Sequence, residues 1–103
     1  MKTELEKNIE QIQLEIHISI KKRNGRKSFT IIEGLEKLDK PDNMNLETFL
    51  KKLSKIFKKN FMCGAFIEEE KTIILNGDHR DKVKEYLVSK KFVTEDQVKM
   101  HGF

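Results

Sequence analysis

Hydrophobic and polar residues alternate along residues 16–20, and this alternation predicts a β-strand. Isoleucine occupies every second position, which is the period of a strand with one buried face. The dipeptide Asn24-Gly25 follows, and both residues tolerate the positive φ that a tight hairpin turn requires. Residues 28–32 are rich in β-branched and aromatic side chains and predict the returning strand, which ends at Gly34. This part of the chain therefore predicts a β-hairpin.

Apolar residues recur at helical spacing along residues 46–57 and predict an amphipathic helix. Placed on a helical wheel, they fall within an arc of about 120°. Either Asn43 or Asn45 is placed to cap the start of this helix. The lysines of the same stretch fall on the opposite side, so the predicted helix has one apolar face and one cationic face.

The second half of the chain predicts two more strands, a second helix and a short last strand. The two strands are expected at residues 63–67 and 72–75. Asn76-Gly77 predicts a turn, and Asp78 is expected to cap the second helix. The last strand is expected close to the C-terminus.

The predicted elements run in the order β-β-α-β-β-α-β and indicate an α+β fold. Such an order predicts a two-layer open-faced sandwich, in which a mixed five-stranded sheet carries two helices packed on one face. Residues 16–103 are expected to form this single domain, as the length of the chain also suggests. Residues 1–15 are acidic and lack a visible partner segment, so they are expected to form a flexible N-terminal tail.

Positive charge is concentrated in two blocks of the sequence. Residues 16–30 carry five cations and no acid, and residues 51–60 carry five lysines and no acid. A merely solvated helix usually mixes signs, since neighbouring lysines repel one another. Two such blocks are typical of a face that binds a polyanion such as nucleic acid, and the alternative is two basic surfaces that are simply solvated.

Composition and motifs argue against membrane, secreted and enzymatic classes. Uncharged apolar runs are too short for a transmembrane helix, and the single cysteine, Cys63, cannot form an internal disulfide, so a cytoplasmic protein is expected. The three histidines lack ligand spacing to Cys63 or to one another, so no metal and no cofactor are predicted. Asp78 and Asp81 are explained by helix capping and the helix dipole, so no enzyme is predicted.

Three short motifs occur in order along the chain. The first is IHISIKKRNGRKSFTIIEGL at residues 16–35, the second is NGDHR at residues 76–80, and the third is VKMHGF at residues 98–103. Together they resemble the eukaryotic translation initiation factor 1 family, whose fold is called the Sui type. The first motif is similar to the first hairpin of that family, including its RNGRK tip. The second is similar to the family's Gly-Asp-x-Arg segment at the start of the second helix, and the third is similar to its C-terminus.

The resemblance implies a translation initiation factor that binds the small ribosomal subunit near the peptidyl site. Such a factor promotes scanning and start-codon fidelity by occluding full accommodation of the initiator tRNA until the AUG codon is paired. The residues that the resemblance implies for RNA binding belong to the hairpin tip and the basic helix: Arg23, Asn24, Gly25, Arg26, Lys27, Lys51, Lys52, Lys55, Lys58 and Lys59.

The same resemblance implies a set of partners. These are the small subunit with its ribosomal RNA, the initiator tRNA and mRNA beside it, and other initiation factors, with no membrane contact and a monomeric free state. In the family, a loop after the third strand faces the initiator tRNA. Here the corresponding turn is shorter and acidic, consisting of Glu68, Glu69 and Glu70. The Cys-Asn-Gly stretch of the family appears here as Cys63-Gly64, without the asparagine.

Two other functions stay open on the sequence. One is a protein–protein adaptor that uses the apolar and acidic surface of the same fold. The other is a factor for noncanonical initiation or recycling, as in related Sui-type domains of larger proteins. RNA binding should weaken steeply as salt rises because counterions are released, whereas an adaptor should have no affinity for the ribosome.

Overall fold

The computed structural model describes residues 14–23, 25 and 27–102, which form one sheet and two α-helices. The elements are β1 (Ile16–Arg23), β2 (Lys27–Glu33), α1 (Leu46–Phe61), β3 (Ala65–Glu68), β4 (Thr72–Asn76), α2 (Arg80–Ser89) and β5 (Val98–His101). The predicted order β-β-α-β-β-α-β is confirmed. Of the predicted N-terminal tail, residues 1–13 lie outside the described part of the chain.

The five strands form one mixed sheet in the order β3-β4-β2-β1-β5. The pairs β1–β2, β2–β4 and β3–β4 are antiparallel, whereas β1 and β5 are parallel. The mixed five-stranded sheet of the predicted α+β sandwich is therefore confirmed. Strands β3 and β5 form its two edges.

The core lies between the sheet and the two helices. The isoleucines at positions 16, 18 and 20 are buried, as the alternation predicts. Apolar residues of α1 and α2 pack with the sheet in a single cluster, so both helices cover the same face. The buried members from the helices are Phe49, Leu50, Leu53, Phe57, Val83 and Leu87.

Helix α1 is defined by clear signals at both ends. The side-chain oxygen of Asn45 accepts a hydrogen bond of 2.8 Å from the backbone N–H of Thr48, so Asn45 rather than Asn43 is the N-cap. The helix ends at Phe61, and the C-cap residue Met62 has a left-handed φ of +51°. The backbone N–H of Cys63 still donates to the carbonyl of Lys58, at 3.3 Å. This bond is why β3 begins at Ala65 and not at Cys63 as predicted.

The start of α2 differs from the prediction for Asp78. His79 occupies the N-cap position, and no side chain caps the helix there. The carboxylate of Asp78 instead accepts hydrogen bonds from the backbone and the side chain of Arg80. Of the backbone amides of α2, Asp78 therefore contacts that of Arg80, the first residue of the helix, at 3.3 Å.

Neither helix in the described residues has the combination of length and apolar character that a bilayer-spanning segment requires. This agrees with the high proportion of charged residues, 37% of the chain.

Candidate nucleic-acid interface

The five lysines of α1 form a basic ridge, which consists of Lys51, Lys52, Lys55, Lys58 and Lys59. All five are exposed, while the opposite side of the helix is buried in the core. Lys51 pairs with Glu47 one turn earlier, at 2.9 Å between Nζ and Oε1. No other lysine of the ridge has a carboxylate partner among the described residues. The ridge therefore presents most of its charge directly to solvent.

The hairpin tip, residues 23–27, is only partly described. Arg23 and Lys27 are paired across the hairpin, and Lys27 is exposed. Gly25 has a φ of +77°, a value that favours glycine, although no atom lies within 4 Å of where a Cβ would be. The predicted site residues Asn24 and Arg26 lie outside the described residues, as does the side chain of Arg23.

Strand pairing brings the hairpin tip and the last turn of α1 to the same end of the sheet. Close to the tip, the carbonyl of Ser28 accepts a hydrogen bond of 2.8 Å from the backbone of Gly77. The adjacent Asn76 donates a backbone hydrogen bond of 2.9 Å to Gly64, three residues after α1 ends. The sequence predicted both basic blocks, but only the β-pairing shows that the hairpin tip and the last turn of α1 lie at the same end of the sheet, here called the basic end.

A buried hydroxyl group fixes the turn between β4 and α2 at the basic end. Thr30 is fully buried, and its Oγ1 donates to the carbonyl of Gly77 at 2.7 Å and accepts from the backbone N–H of His79 at 2.8 Å. Nε2 of His79 donates a hydrogen bond of 2.8 Å to the carbonyl of Asn76. The imidazole ring of His79 lies nearly parallel to the ring of Phe61. This role of Thr30 could not be predicted from the sequence, where Thr30 is one of several β-branched residues of a predicted strand.

Asp78 and Arg80 form a two-pronged ion pair beside this turn. Nε and Nη2 of Arg80 donate to the two carboxylate oxygens of Asp78, each at 3.0 Å. These bonds hold the pKa of Asp78 below its ordinary value, and the pKa of Arg80 is raised in return. Nη1 of Arg80 also donates to the carbonyl of His101 in β5, at 3.2 Å. Arg80 therefore braces the last strand against the start of α2.

The acidic turn, residues 68–71, lies at the end of the sheet opposite the hairpin tip. It joins the last residue of β3 to the first of β4, where β1 also begins and β2 ends. Glu68, Glu69 and Glu70 are all exposed. Glu69 and Glu70 have φ values of +54° and +61°, which a tight two-residue turn requires of its central positions. This end of the sheet is here called the acidic end.

The sheet face without helices carries a shallow hollow of about 480 Å³, which the sequence did not indicate. Its apolar lining includes Phe29, Ile31, Phe66 and Ile74, and the side chain of Phe66 is 46% exposed. Glu33, Glu68 and Glu69 stand at its edge. Apolar residues surrounded by charge are typical of surfaces that contact other proteins.

No cluster of three or more histidine, cysteine or acidic side chains suited to a metal ion occurs within the described residues. Cys63 is partly buried, and burial raises the pKa of its thiol, which keeps the less reactive protonated form. The structure does differ from one expectation, since it brings His17 and His101 into contact although they are 84 residues apart.

Comparison with known proteins identifies close sequence relatives. Residues 12–93 match the family model described as translation initiation factor SUI1. The chain is 39% identical over 94 residues to a protein translation factor SUI1 homolog of Acanthamoeba polyphaga mimivirus, covering 86% of this chain and 80% of the relative. It is also 39% identical over 93 residues to eukaryotic translation initiation factor 1 of Homo sapiens, covering 85% of this chain and 74% of the relative.

A solved structure shows the same fold at low sequence identity. The C-terminal domain of human eIF2D superposes with a TM-score of 0.62 over 82% of this chain, at 11% identity. The chain spans 41% of the length of that structure. The likeness concerns the fold alone.

Proposed function

Because this chain belongs to the SUI1 family of translation initiation factors, we propose that it binds the small ribosomal subunit near the peptidyl site and promotes start-codon fidelity. The family acts in translation initiation and is not a family of enzymes. The proposal therefore concerns binding and timing, with no chemical step.

The observation that carries the proposal is that the hairpin tip and the last turn of the helix with the basic ridge lie at the same end of the sheet. The basic ridge exposes five lysines, and the described part of the hairpin adds the exposed Lys21, Lys22 and Lys27. Arg23, Asn24, Gly25 and Arg26 complete the proposed contact at the tip. A surface of this kind binds the phosphates of folded RNA without reading its sequence, since double-stranded RNA is recognised largely by shape and backbone.

The proposed mechanism is occlusion beside the start codon. A factor bound beside the start codon leaves room for a loosely held initiator tRNA. It would clash with an initiator tRNA that is fully settled in the peptidyl site. AUG pairing then favours the state that expels the factor, and a mispaired codon supplies too little free energy to do so. Scanning continues until the correct codon is reached.

The acidic turn is proposed to face the initiator tRNA. Glu68, Glu69 and Glu70 would repel its phosphates, which serves exclusion and not attachment. The acidic turn lies far from the basic end, which supports different roles for the two ends. The basic end would bind ribosomal RNA, and the acidic end would prevent the initiator tRNA from settling fully.

We further propose that the protein acts in the cytoplasm as a single domain, residues 16–103, and is monomeric when free. Its proposed neighbours on the small subunit are the mRNA, the initiator tRNA and other initiation factors. The apolar hollow around Phe66 supports a second candidate function, a protein–protein adaptor, which is compatible with ribosome binding. A role in noncanonical initiation or recycling is the remaining alternative.

Titration of the protein against purified small subunits tests the proposal. The affinity should fall steeply between two salt concentrations, because bound lysines release counterions from RNA. Replacing Lys55, Lys58 and Lys59 with glutamate should lower the affinity by at least tenfold and flatten the dependence on salt. The matched control replaces Lys37 and Lys71, which lie at the acidic end, with glutamate. This control variant should bind the small subunit like the wild type. Absence of ribosome affinity would favour the adaptor.

A further inference from the structure

We infer that the apolar hollow on the sheet face without helices binds a helix of a partner protein, one face of which is apolar and bordered by lysine or arginine. The inference rests on the adaptor role given above as the second candidate function, and it adds the chemistry of the partner. It does not involve the basic ridge of α1.

Strand register builds an apolar row across the floor of the hollow. Ile74 in β4 lies opposite Ile31 in β2 on one side and opposite Phe66 in β3 on the other. The next residues along these strands, Ile32 and Ile73, are fully buried in the core, so the row faces away from the two helices. Neighbouring strands are about 4.8 Å apart, so three strands span about 10 Å, which is the width of a helix.

The row is covered in the middle and open at the β3 side. Ile74 is only 8% exposed because its neighbours surround it, whereas the side chain of Phe66 is 46% exposed. Interfaces between proteins are enriched in aromatic side chains of this kind, because covering them removes a large apolar area from water. Phe66 is therefore the expected anchor for a partner.

The hollow lies on the face of the sheet, which determines how a partner docks there. A face presents side chains, whereas only an edge presents backbone groups that could pair with an added strand. A helix that lays its apolar side chains into a hollow needs no such backbone groups. The geometry thus favours a helix over an extended segment.

Charge around the hollow determines which helix fits. The exposed carboxylates of Glu33, Glu68 and Glu69 line it towards the acidic end. Lys21 lines it too, but on the side of the basic end, where it is paired with Phe29. Three carboxylates against one ammonium group favour a partner whose own cations lie over the acidic side.

The same charges disfavour two other occupants. A second copy of this chain, docked face to face, would bring one set of carboxylates towards another. The N-terminal residues 1–13 carry three glutamates and two lysines, so they offer no excess of positive side-chain charge. A basic amphipathic helix from another protein matches the hollow better than either.

Titration with a fluorescent helical peptide of about 18 residues, with leucines on one face bordered by lysines, tests the inference by fluorescence anisotropy. One peptide should bind per chain. Phe66→Ser should raise the dissociation constant at least tenfold, because the anchor is lost, and Glu33→Lys with Glu68→Lys at least fivefold. The control Met62→Ser removes an equally apolar side chain, 90% exposed at the end of α1, and should bind like the wild type. A peptide of the same composition in scrambled order should not bind.

NMR amide shifts of the wild-type protein locate the peptide without any variant. They should change around Phe66 and the neighbouring strands, and circular dichroism should show that the variants keep the fold. Phe66→Ser should keep the affinity of the wild type for the small ribosomal subunit, so failure of the peptide test would leave the proposed ribosome binding standing.

Four results would overturn the inference. One is equal affinity of the wild type and Phe66→Ser for the peptide, and another is a set of amide shifts centred on the basic ridge. Displacement of the lysine peptide by a synthetic peptide of residues 1–13 would assign the hollow to the chain's own N-terminus. A dimer of the wild type in sedimentation experiments that is lost in Phe66→Ser would assign it to a second copy.

Discussion

At the scale of single residues, Arg80 and Thr30 have structural roles at the basic end. Arg80, the last residue of the NGDHR motif, donates two hydrogen bonds to the carboxylate of Asp78 and one to the carbonyl of His101 in β5. In the sequence, Thr30 is an ordinary strand residue. In the structure, its hydroxyl donates a hydrogen bond to the carbonyl of Gly77 and accepts one from the backbone N–H of His79. These two side chains set the conformation of the turn between β4 and α2.

Replacing Thr30 with valine should destabilise the protein by about 2 kcal/mol, because the part-buried carbonyl of Gly77 and the part-buried amide of His79 each lose their partner while the shape is retained. Urea unfolding at neutral pH measures the change. The matched control is Thr72→Val on the neighbouring strand β4, where the side chain is only half-buried. A loss for Thr30→Val no larger than that of the control would show that the hydroxyl contributes little.

The Asp78–Arg80 pair should make stability depend on acid. The pKa of Asp78 is lower in the folded protein than in the unfolded chain, so its contribution is complete above the unfolded pKa and is lost as the pH falls through the folded one. Asp78→Asn should therefore be less stable than the wild type at pH 7, and the difference should shrink at pH 3. Urea unfolding at both pH values checks this. A difference that is the same at both would contradict the assignment of the pair.

At the scale of elements, most of the fold can be predicted from the sequence. Alternation and helical periodicity predict every strand and both helices, because each element buries one face only. Boundaries are less visible, since β3 starts at Ala65 only because Cys63 still closes the end of α1. The basic ridge is visible because lysines fill a whole helical face. The contact between His17 and His101 is invisible, because it depends on which strand lies beside β1.

The turn between β3 and β4 contains residues that lower the stability of the fold. Glutamate at both central positions costs free energy, because positive φ disfavours residues with a side chain of this kind. Replacing Glu69 and Glu70 with Asn-Gly should stabilise the protein by about 1 kcal/mol. Thermal unfolding measures this. The control replaces both glutamates with glutamine, which removes the charge and keeps the strain. Equal stabilisation by both changes would mean that charge repulsion, and not φ, is the cost.

At the scale of the whole molecule, charge is divided along the strands. The hairpin tip and the last turn of α1 stand at one end, and the acidic turn with Glu15 and Glu33 stands at the other. A molecule polarised in this way is oriented by the field of a large polyanion as it approaches, with the basic end leading. The proposed contact with RNA accounts for the cations at the hairpin tip, where their mutual repulsion brings no benefit to folding.

The central claim is tested most directly by a reporter that compares initiation at AUG with initiation at near-cognate codons, in cells where this protein replaces the resident factor. The wild-type protein should keep near-cognate initiation low. Replacing Arg26 and Lys27 at the tip with glutamate should raise the near-cognate to AUG ratio several-fold, while Lys37→Glu with Lys71→Glu should leave it unchanged. If the tip variant discriminates between codons as well as the wild type, the basic end does not act in start-codon selection.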